Sequence, residues 1–198
     1  MRRWAEAAIA AAGLVLLAPL MGAIALLVRT CSGRPVLFGH SRVGRAGREF
    51  VVLKFRTMRP AADAGESAAV TVAGDARVTA VGRLLRRTKL DELPQLVNVV
   101  RGEMAFVGPR PEVRRYVELW PADLRDEILS VRPGLTDPAT LAFRHEEEIL
   151  AAHADPERFY RESILPQKAA LYADYVRTRG VRSDVAILAR TVRIVVGG

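Results

Sequence analysis

The sequence contains few cysteine, histidine and aromatic residues. Its single cysteine, Cys31, excludes an intrachain disulfide and a cysteine-based metal cluster, and it fits a reducing compartment. His40, His145 and His153 lack the spacing of metal ligands, so we interpret them as ordinary polar residues. Aromatic residues amount to 6%, and there is no Walker loop, glycine-rich dinucleotide motif, GxSxG elbow or HExxH motif.

Positive charge is in excess over the 198 residues. The formal net charge is +8, while half of the residues are hydrophobic, which is enough for a core of ordinary size. This balance predicts an anionic partner, which is a nucleic acid, an acidic lipid or a phosphorylated substrate. No basic segment is interleaved with aromatic residues, and this argues against nucleic acid.

An uncharged segment occupies residues 7–28. As a helix it would extend about 33 Å, enough to cross a hydrocarbon layer of about 30 Å. Its length and the cationic segment after it disfavour a signal peptide. Arginines flank both ends, which places both on the cytoplasmic side, and Pro19 predicts a bend near the middle. We favour a re-entrant helix over residues 1–30, and a kinked spanning helix remains the alternative.

The rest of the chain predicts an α+β domain that is mostly helical. Strands at 36–38 and 50–55 form a basic hairpin around Gly44 and Gly47. Small polar residues at 61–76 predict a loop, and the proline- and glycine-rich segment 132–138 predicts another. Apolar periodicity predicts helices, some of them amphipathic and interfacial, at 78–87, 93–100, 111–129 with an interruption near Pro121, 146–153, 156–179 and 183–196.

Adjacent carboxylates, Asp91 and Glu92, follow three cationic residues in the segment 86–98. Asp91 or Thr88 is expected to cap a helix that has Pro94 in its first turn. The cations are expected to keep Asp91 ionised at neutral pH. A partly desolvated carboxylate in a cationic site can attack phosphorus, as in enzymes with an aspartyl phosphate. The alternative is an acidic helix cap without a catalytic role.

A second feature is Arg110, which stands between Pro109 and Pro111. Two residues with a fixed φ make a stiff mount that suits bidentate phosphate recognition by a guanidinium group. Arg132, followed by Pro133 and Gly134, has a similar pattern. The alternative for both arginines is a structural turn in which the side chain binds a carbonyl.

Together these segments resemble the bacterial sugar transferase family, the monotopic phosphoglycosyl transferases, in its small form without further N-terminal spans. The matching motifs cover about residues 1–140 in family order. They are SRVG at 41–44, KFRTM at 54–58, DARVT at 75–79, VGR at 81–83, LLRRT at 84–88, LDELPQL at 90–96 followed by Asn98, RGEM at 101–104, VGPRPE at 107–112 and RPGLT at 132–136.

The resemblance implies a re-entrant helix over 1–30 and a membrane-associated catalytic domain over 31–198 that faces the cytoplasm at the bacterial inner membrane. It implies Mg²⁺, a nucleotide sugar, usually a UDP-sugar, and polyprenyl (undecaprenyl) phosphate as acceptor. Asp91 would attack the sugar-proximal phosphate, and Asp91 and Glu92 would hold Mg²⁺, with proton transfer as the other role for Glu92. The residues that would bind substrate are Arg110, Pro109, Pro111, Arg86, Lys54, Arg56 and Arg132.

The sequence departs from the family pattern in places that do not touch Asp91 or Glu92. Ala18 precedes Pro19 where a serine is common, His40 and Ser41 replace glutamine and glutamate, and Ala105-Phe106 replaces Ser-Leu. The expected partners are therefore the two substrates and membrane lipids, without nucleic acid, and a homodimer is left open. Two alternatives remain, a membrane-anchored nucleic-acid-binding protein and an acidic-lipid-binding scaffold, both without catalysis.

Overall fold

The computed structural model describes residues 3–59 and 71–197. Residues 61–70 of the predicted loop lie outside the described part, and 71–76 contain a turn at Gly74. In chain order the helices are α1 (Arg3–Ser32), α2 (Ala80–Arg87), α3 (Gln95–Arg101), α4 (Arg114–Val117), α5 (Ala122–Leu129), α6 (Pro138–Ala142), α7 (Glu146–Ala151), α8 (Pro156–Phe159), α9 (Leu165–Thr178) and α10 (Val181–Gly197). The strands are β1 (Leu37–Val43), β2 (Glu49–Phe55), β3 (Ala105–Val107) and β4 (Gly134–Thr136).

The N-terminal helix α1 packs one narrow face on the rest of the protein. Glu6, Ala10, Ile24 and Val28 are buried, at helical spacing along that face. Its other faces remain exposed and largely apolar, and α1 is long and apolar enough to cross a membrane by length and composition. The helix continues through Pro19, so the residues on both sides of the predicted bend belong to one element.

The predicted basic hairpin is confirmed, with longer strands than the sequence indicated. β1 and β2 pair antiparallel, from Leu37 opposite Phe55 to Val43 opposite Glu49. A short 3-10 turn, Arg45–Gly47, joins them, and Ala46 and Gly47 adopt positive φ there. Val52 and Phe55 point to opposite faces of β2, and each is buried in an apolar cluster that also contains residues of α1.

The segment that carries the paired carboxylates lies between α2 and α3. The Thr79 hydroxyl accepts from the Gly82 amide and begins α2, while α3 ends at Gly102 in the left-handed region. Between the two helices, a 3-10 turn covers Leu90–Glu92. The prediction that Asp91 or Thr88 caps the following helix is wrong. Lys89, with φ 57°, directly precedes the 3-10 turn, and Pro94 directly precedes α3.

Residues 132–138 are not only a loop, which corrects the sequence prediction. Within them β4 pairs in parallel with β3, where Ala105 lies opposite Gly134 and Val107 opposite Thr136. Just after β3, the backbone of Gly108 approaches the backbone of Gly134 so closely that a Cβ atom on Gly134 would lie 2.1 Å from the Gly108 amide nitrogen. Glycine is therefore required at this crossing, which holds the backbone that leads into Arg110.

The C-terminal helices build the larger apolar core. The helices α8 and α9 are joined through one π-helical turn, Tyr160–Ile164, so the predicted helix 156–179 is confirmed in outline. Its inward side chains pack against α4, α5 and α6. The buried members of this core are Val43, Tyr116, Val117, Trp120, Ile128, Ala139, Leu150, Tyr160, Ile164, Leu165, Ala169, Tyr172 and Ala173.

Candidate active site

A large cleft opens between the basic hairpin, the 3-10 turn of the carboxylates and the C-terminal helices. Its volume is about 1240 Å³, which is ample for a nucleotide sugar. Asp91 and Glu92 lie in it, with Lys54 from β2, Arg86 from α2 and Arg110. The opposite wall comes from α6, α7 and α9. Residues that the sequence places far apart therefore meet around one strongly cationic cavity.

Asp91 is held at this cleft by the turn that follows the left-handed Lys89. The residue is only 6% exposed, and its Oδ1 atom is buried without a hydrogen-bond partner in the described part of the chain. Burial raises the pKa of Asp91 above its usual value, and Lys54 opposes that shift by a smaller amount. Desolvation therefore has a larger effect on this pKa than the attraction of the nearby cations, and Oδ1 keeps an acceptor site that no described group uses.

Unlike Asp91, the neighbouring Glu92 has two cationic hydrogen-bond partners and a lowered pKa. Its Oε1 atom accepts from Lys54 Nζ at 2.8 Å and from the Arg110 guanidinium group. Although burial opposes it, the attraction of Arg110 and Lys54 holds the pKa of Glu92 well below its usual value. Loss of solvent lowers the pKa of Lys54, and Glu92 opposes that change. We infer that Glu92 positions two cations beside Asp91.

The stiff mount predicted for Arg110 is present. Pro109 and Pro111 are buried, while the Arg110 side chain keeps 28% exposure in the cleft. The Pro109 carbonyl accepts from the Gly134 amide at 3.0 Å, which ties the mount to β4. The charge of Glu92 raises the pKa of Arg110, so the guanidinium group stays cationic. Its fork geometry can therefore serve a phosphate as well as Glu92.

The remaining predicted arginines divide into two groups. Arg86 lines the cleft and pairs with Glu147 of α7. Arg56 also borders the cleft, but it is largely buried, and its guanidinium group donates to the carbonyls of Ser32 and Arg34 at the end of α1.

Arg132 does not line the cleft. It pairs with Glu6 of α1 and donates to the Met104 carbonyl at 3.1 Å. Both Arg56 and Arg132 therefore attach α1 to the domain, one at each end of the helix.

The predicted Mg²⁺ ligands fit unequally. The unpaired Oδ1 of Asp91 suits a hard cation, whereas Glu92 already accepts from two cationic side chains. No group of three or more acidic, histidine or cysteine side chains forms a metal site among residues 3–59 and 71–197. A Mg²⁺ ion held by Asp91 would take its remaining oxygens from water and from substrate phosphates, which is common for this ion.

Two residues on the opposite side of the site were not assigned to it by sequence analysis, Tyr172 in the wall of the cleft and Asp137 buried behind it. Asp137 is fully buried, begins α6 by accepting from the Thr140 amide, and acts electrostatically on Arg110. Tyr172 of α9 lines the cleft, and its hydroxyl is buried without a partner among the described residues. Asp137 before Pro138 is a recognisable helix start, but Tyr172 follows the apolar period of α9 and gives no separate signal.

Comparison with known proteins agrees with the motifs. The profile of the family described as bacterial sugar transferase matches residues 1–198. The chain is 37% identical over 179 residues, 89% of its length, to the UDP-glucose:undecaprenyl-phosphate glucose-1-phosphate transferase of Caulobacter vibrioides. It is 34% identical over 185 residues, 92% of its length, to the UDP-N-acetylgalactosamine-undecaprenyl-phosphate N-acetylgalactosaminephosphotransferase of Aeromonas hydrophila.

The aligned part of these relatives is shorter than the whole proteins. The chain spans 62% of the Caulobacter protein and 40% of the Aeromonas protein. It spans 77% of the exopolysaccharide production protein ExoY of Rhizobium meliloti, to which it is 38% identical over 181 residues, 84% of its own length.

Proposed function

Because the chain belongs to the bacterial sugar transferase family, we propose that it transfers a sugar 1-phosphate from a UDP-sugar to undecaprenyl phosphate. The names of the relatives support this substrate pair. The observation that carries the proposal is the unpaired, buried Oδ1 of Asp91 in a cleft with Lys54, Arg86 and Arg110. A scaffold for acidic lipids would gain nothing from such an oxygen, because leaving it unpaired costs free energy.

In the first step, the ionised Asp91 carboxylate attacks the phosphorus that bears the sugar. A new oxygen–phosphorus bond forms, the bond from that phosphorus to the bridging oxygen of the diphosphate breaks, and UMP leaves with the electron pair. Lys54 and Arg110 pair with Glu92 and line the same cleft as Asp91, where their charge offsets the negative charge on the phosphoryl oxygens. A bound Mg²⁺ ion supplies further charge neutralisation on these oxygens.

In the second step, a phosphate oxygen of undecaprenyl phosphate attacks the same phosphorus. The aspartyl ester bond breaks, and the Asp91 carboxylate is restored with its electron pair. The product is undecaprenyl diphosphate-sugar. Glu92 holds Lys54 and Arg110 in place throughout, so that the same cations serve both steps.

The packing of α1 supports the re-entrant topology as part of this proposal. Glu6 near one end of the helix and Val28 near the other are both buried against the folded domain. These residues are about 33 Å apart along the helix. A helix that spanned the bilayer would place one end on the far side, away from a domain in the cytoplasm. We therefore place both ends of α1 and the domain at the cytoplasmic face of the inner membrane.

The activity is tested with detergent-solubilised protein, Mg²⁺, undecaprenyl phosphate and a panel of UDP-sugars, with UMP as the measured product. We expect UMP release with at least one sugar, and its loss in Asp91→Asn and with EDTA. Asp123→Asn, an exposed carboxylate in the first turn of α5, is the matched control and should retain wild-type rates. Liposome binding without UMP release from any sugar would instead support the lipid-binding scaffold.

A further inference from the structure

A shallow apolar groove lies between α6 and α10, apart from the residues assigned to the transfer. Its volume is about 380 Å³. The lining residues are Pro138, Leu141, Ala142, Arg144, Ile187, Arg190 and Ile194. Five of the seven are apolar, and the two polar members are both arginines, so the groove combines a hydrocarbon-like floor with positive charge.

The groove adjoins the cleft of Asp91. Leu141, Arg144 and Ile194 line both cavities. A ligand with two chemically different ends can therefore occupy both, with its apolar part in the groove and its polar part in the cleft. Arg144 lies at the boundary of the two cavities. A group that joins the apolar and the polar part of such a ligand would lie next to it.

The arginines of the groove have no partner in the described part of the chain. Arg144 and Arg190 are exposed and form no ion pair or hydrogen bond there, in contrast to Arg177, which pairs with Glu127. An unpaired guanidinium beside an apolar surface complements an anionic amphiphile, because the apolar part gains from burial and the anion from the cation.

The outer face of α10 gives a reason for a lipid to reach this groove. Val181, Val185 and Val192 are exposed on one side of the helix, within about 40° of each other at 100° per residue. An amphipathic helix with an exposed apolar stripe and several arginines suits the bilayer interface. The groove residues Ile187, Arg190 and Ile194 lie on the opposite face of α10, so a lipid carrier would pass around this helix from the bilayer into the groove.

We propose that the groove between α6 and α10 holds the first isoprene units of the polyprenyl phosphate acceptor, and that Arg144 guides its phosphate into the cleft. This inference rests on the proposed function and adds where the acceptor binds. The acceptor phosphate then meets the phosphosugar on Asp91 from the side of α6 and α7, opposite Lys54. Arg190 contributes positive charge at the groove and does not reach the cleft, since it lines only the groove.

The two-step chemistry allows a test that separates acceptor from donor. With donor alone, exchange of labelled UMP into UDP-sugar reports the first step, and transfer of labelled sugar phosphate to polyprenyl phosphate reports the second. We expect Ala142→Trp, which fills the groove, and Arg190→Gln to raise the KM for polyprenyl phosphate at least tenfold. Their exchange rate with donor alone should stay within a factor of about two of wild type.

Matched controls use positions on α10 that do not line the groove. Ala189→Trp adds the same volume at an exposed site, and Arg193→Gln removes the same charge; both should keep the wild-type KM. Unchanged KM in Ala142→Trp and Arg190→Gln would overturn the proposal. So would an equal rise in the controls, or a loss of binding to acidic phospholipid vesicles that accounts for the whole effect. Absence of UMP exchange in the wild type would instead reject the proposed function.

Discussion

Arg110 and Arg132 each stand beside a proline in the sequence but have different partners in the structure. Arg56 and Arg132 donate to backbone carbonyls or pair with Glu6, and they hold α1 against the domain. Arg110 pairs with Glu92 and keeps part of its guanidinium group open to the cleft. A basic residue near a glycine- or proline-rich turn thus serves the fold or the substrate according to what lies within its reach.

The largest expected difference concerns activity. Arg110→Lys keeps the charge but loses the planar fork, so we expect turnover to fall about 100-fold, as when one preorganised donor is removed. Arg132→Lys should leave turnover within about threefold of wild type, because Arg132 lies outside the cleft. Steady-state UMP release by the two purified variants measures this. Equal losses in both would remove the distinction between the two arginines.

The next effect concerns stability. Arg56→Met removes the donors to the Ser32 and Arg34 carbonyls, and we expect a loss of about 2 kcal/mol. For a domain of this size that corresponds to a fall in Tm of about 4–8 °C. The melting temperature in detergent measures it, with Arg59→Met, on an exposed position, as control. An unchanged Tm with reduced UMP release would assign Arg56 to the substrate instead.

Two buried tyrosine hydroxyl groups also differ in whether they have a hydrogen-bond partner. Tyr160 donates to Glu112 at 2.8 Å, whereas the Tyr172 hydroxyl has no partner among the described residues. Tyr160→Phe should lower stability by about 1.5 kcal/mol, and Tyr172→Phe should leave it unchanged or slightly higher. Parallel melting curves of the two variants decide this. If Tyr172→Phe were the less stable variant, its hydroxyl would have a structural partner.

The smallest effect is the pH dependence of stability at Asp91. Burial raises the pKa of this group on folding, so the folded state binds more protons between the unfolded and folded pKa values, and stability falls as the pH rises through that window. Asp91→Asn removes this cost, and its Tm at pH 8 should exceed that of wild type by about 2–4 °C. The difference should vanish below about pH 4, where the unfolded state is also protonated. A lower Tm of Asp91→Asn than of wild type at pH 8 would show that the neighbouring cations stabilise the charged carboxylate more than burial destabilises it.

Much of the local structure could be predicted from the sequence. The hairpin, α2 and α3 follow from alternation, periodicity and turn residues, and the pairing of Asp91 with a cationic cleft follows from the segment 86–98 and the mount of Arg110. The family motifs cover these segments, and the match of the family profile to residues 1–198 confirms the resemblance to bacterial sugar transferases.

The features that could not be predicted from the sequence depend on contacts between residues that are far apart in the chain. The strands β3 and β4 have three residues each and no alternation to reveal them, and their pairing depends on the close approach of Gly108 and Gly134. The roles of Arg56 and Arg132 depend on where α1 packs. The raised pKa of Asp91 depends on burial, which local charge in the sequence does not report.

In the proposed mechanism, the carboxylate of Asp91 forms a covalent bond to phosphorus. This step is tested most directly by mass spectrometry of wild-type protein mixed with Mg²⁺ and an accepted UDP-sugar, without acceptor, and quenched within the first turnover. We predict a phosphosugar adduct on the peptide that contains Asp91, lost when undecaprenyl phosphate is added and absent in Asp91→Asn. Full turnover with no adduct on Asp91, or with the adduct on another residue, would contradict the account.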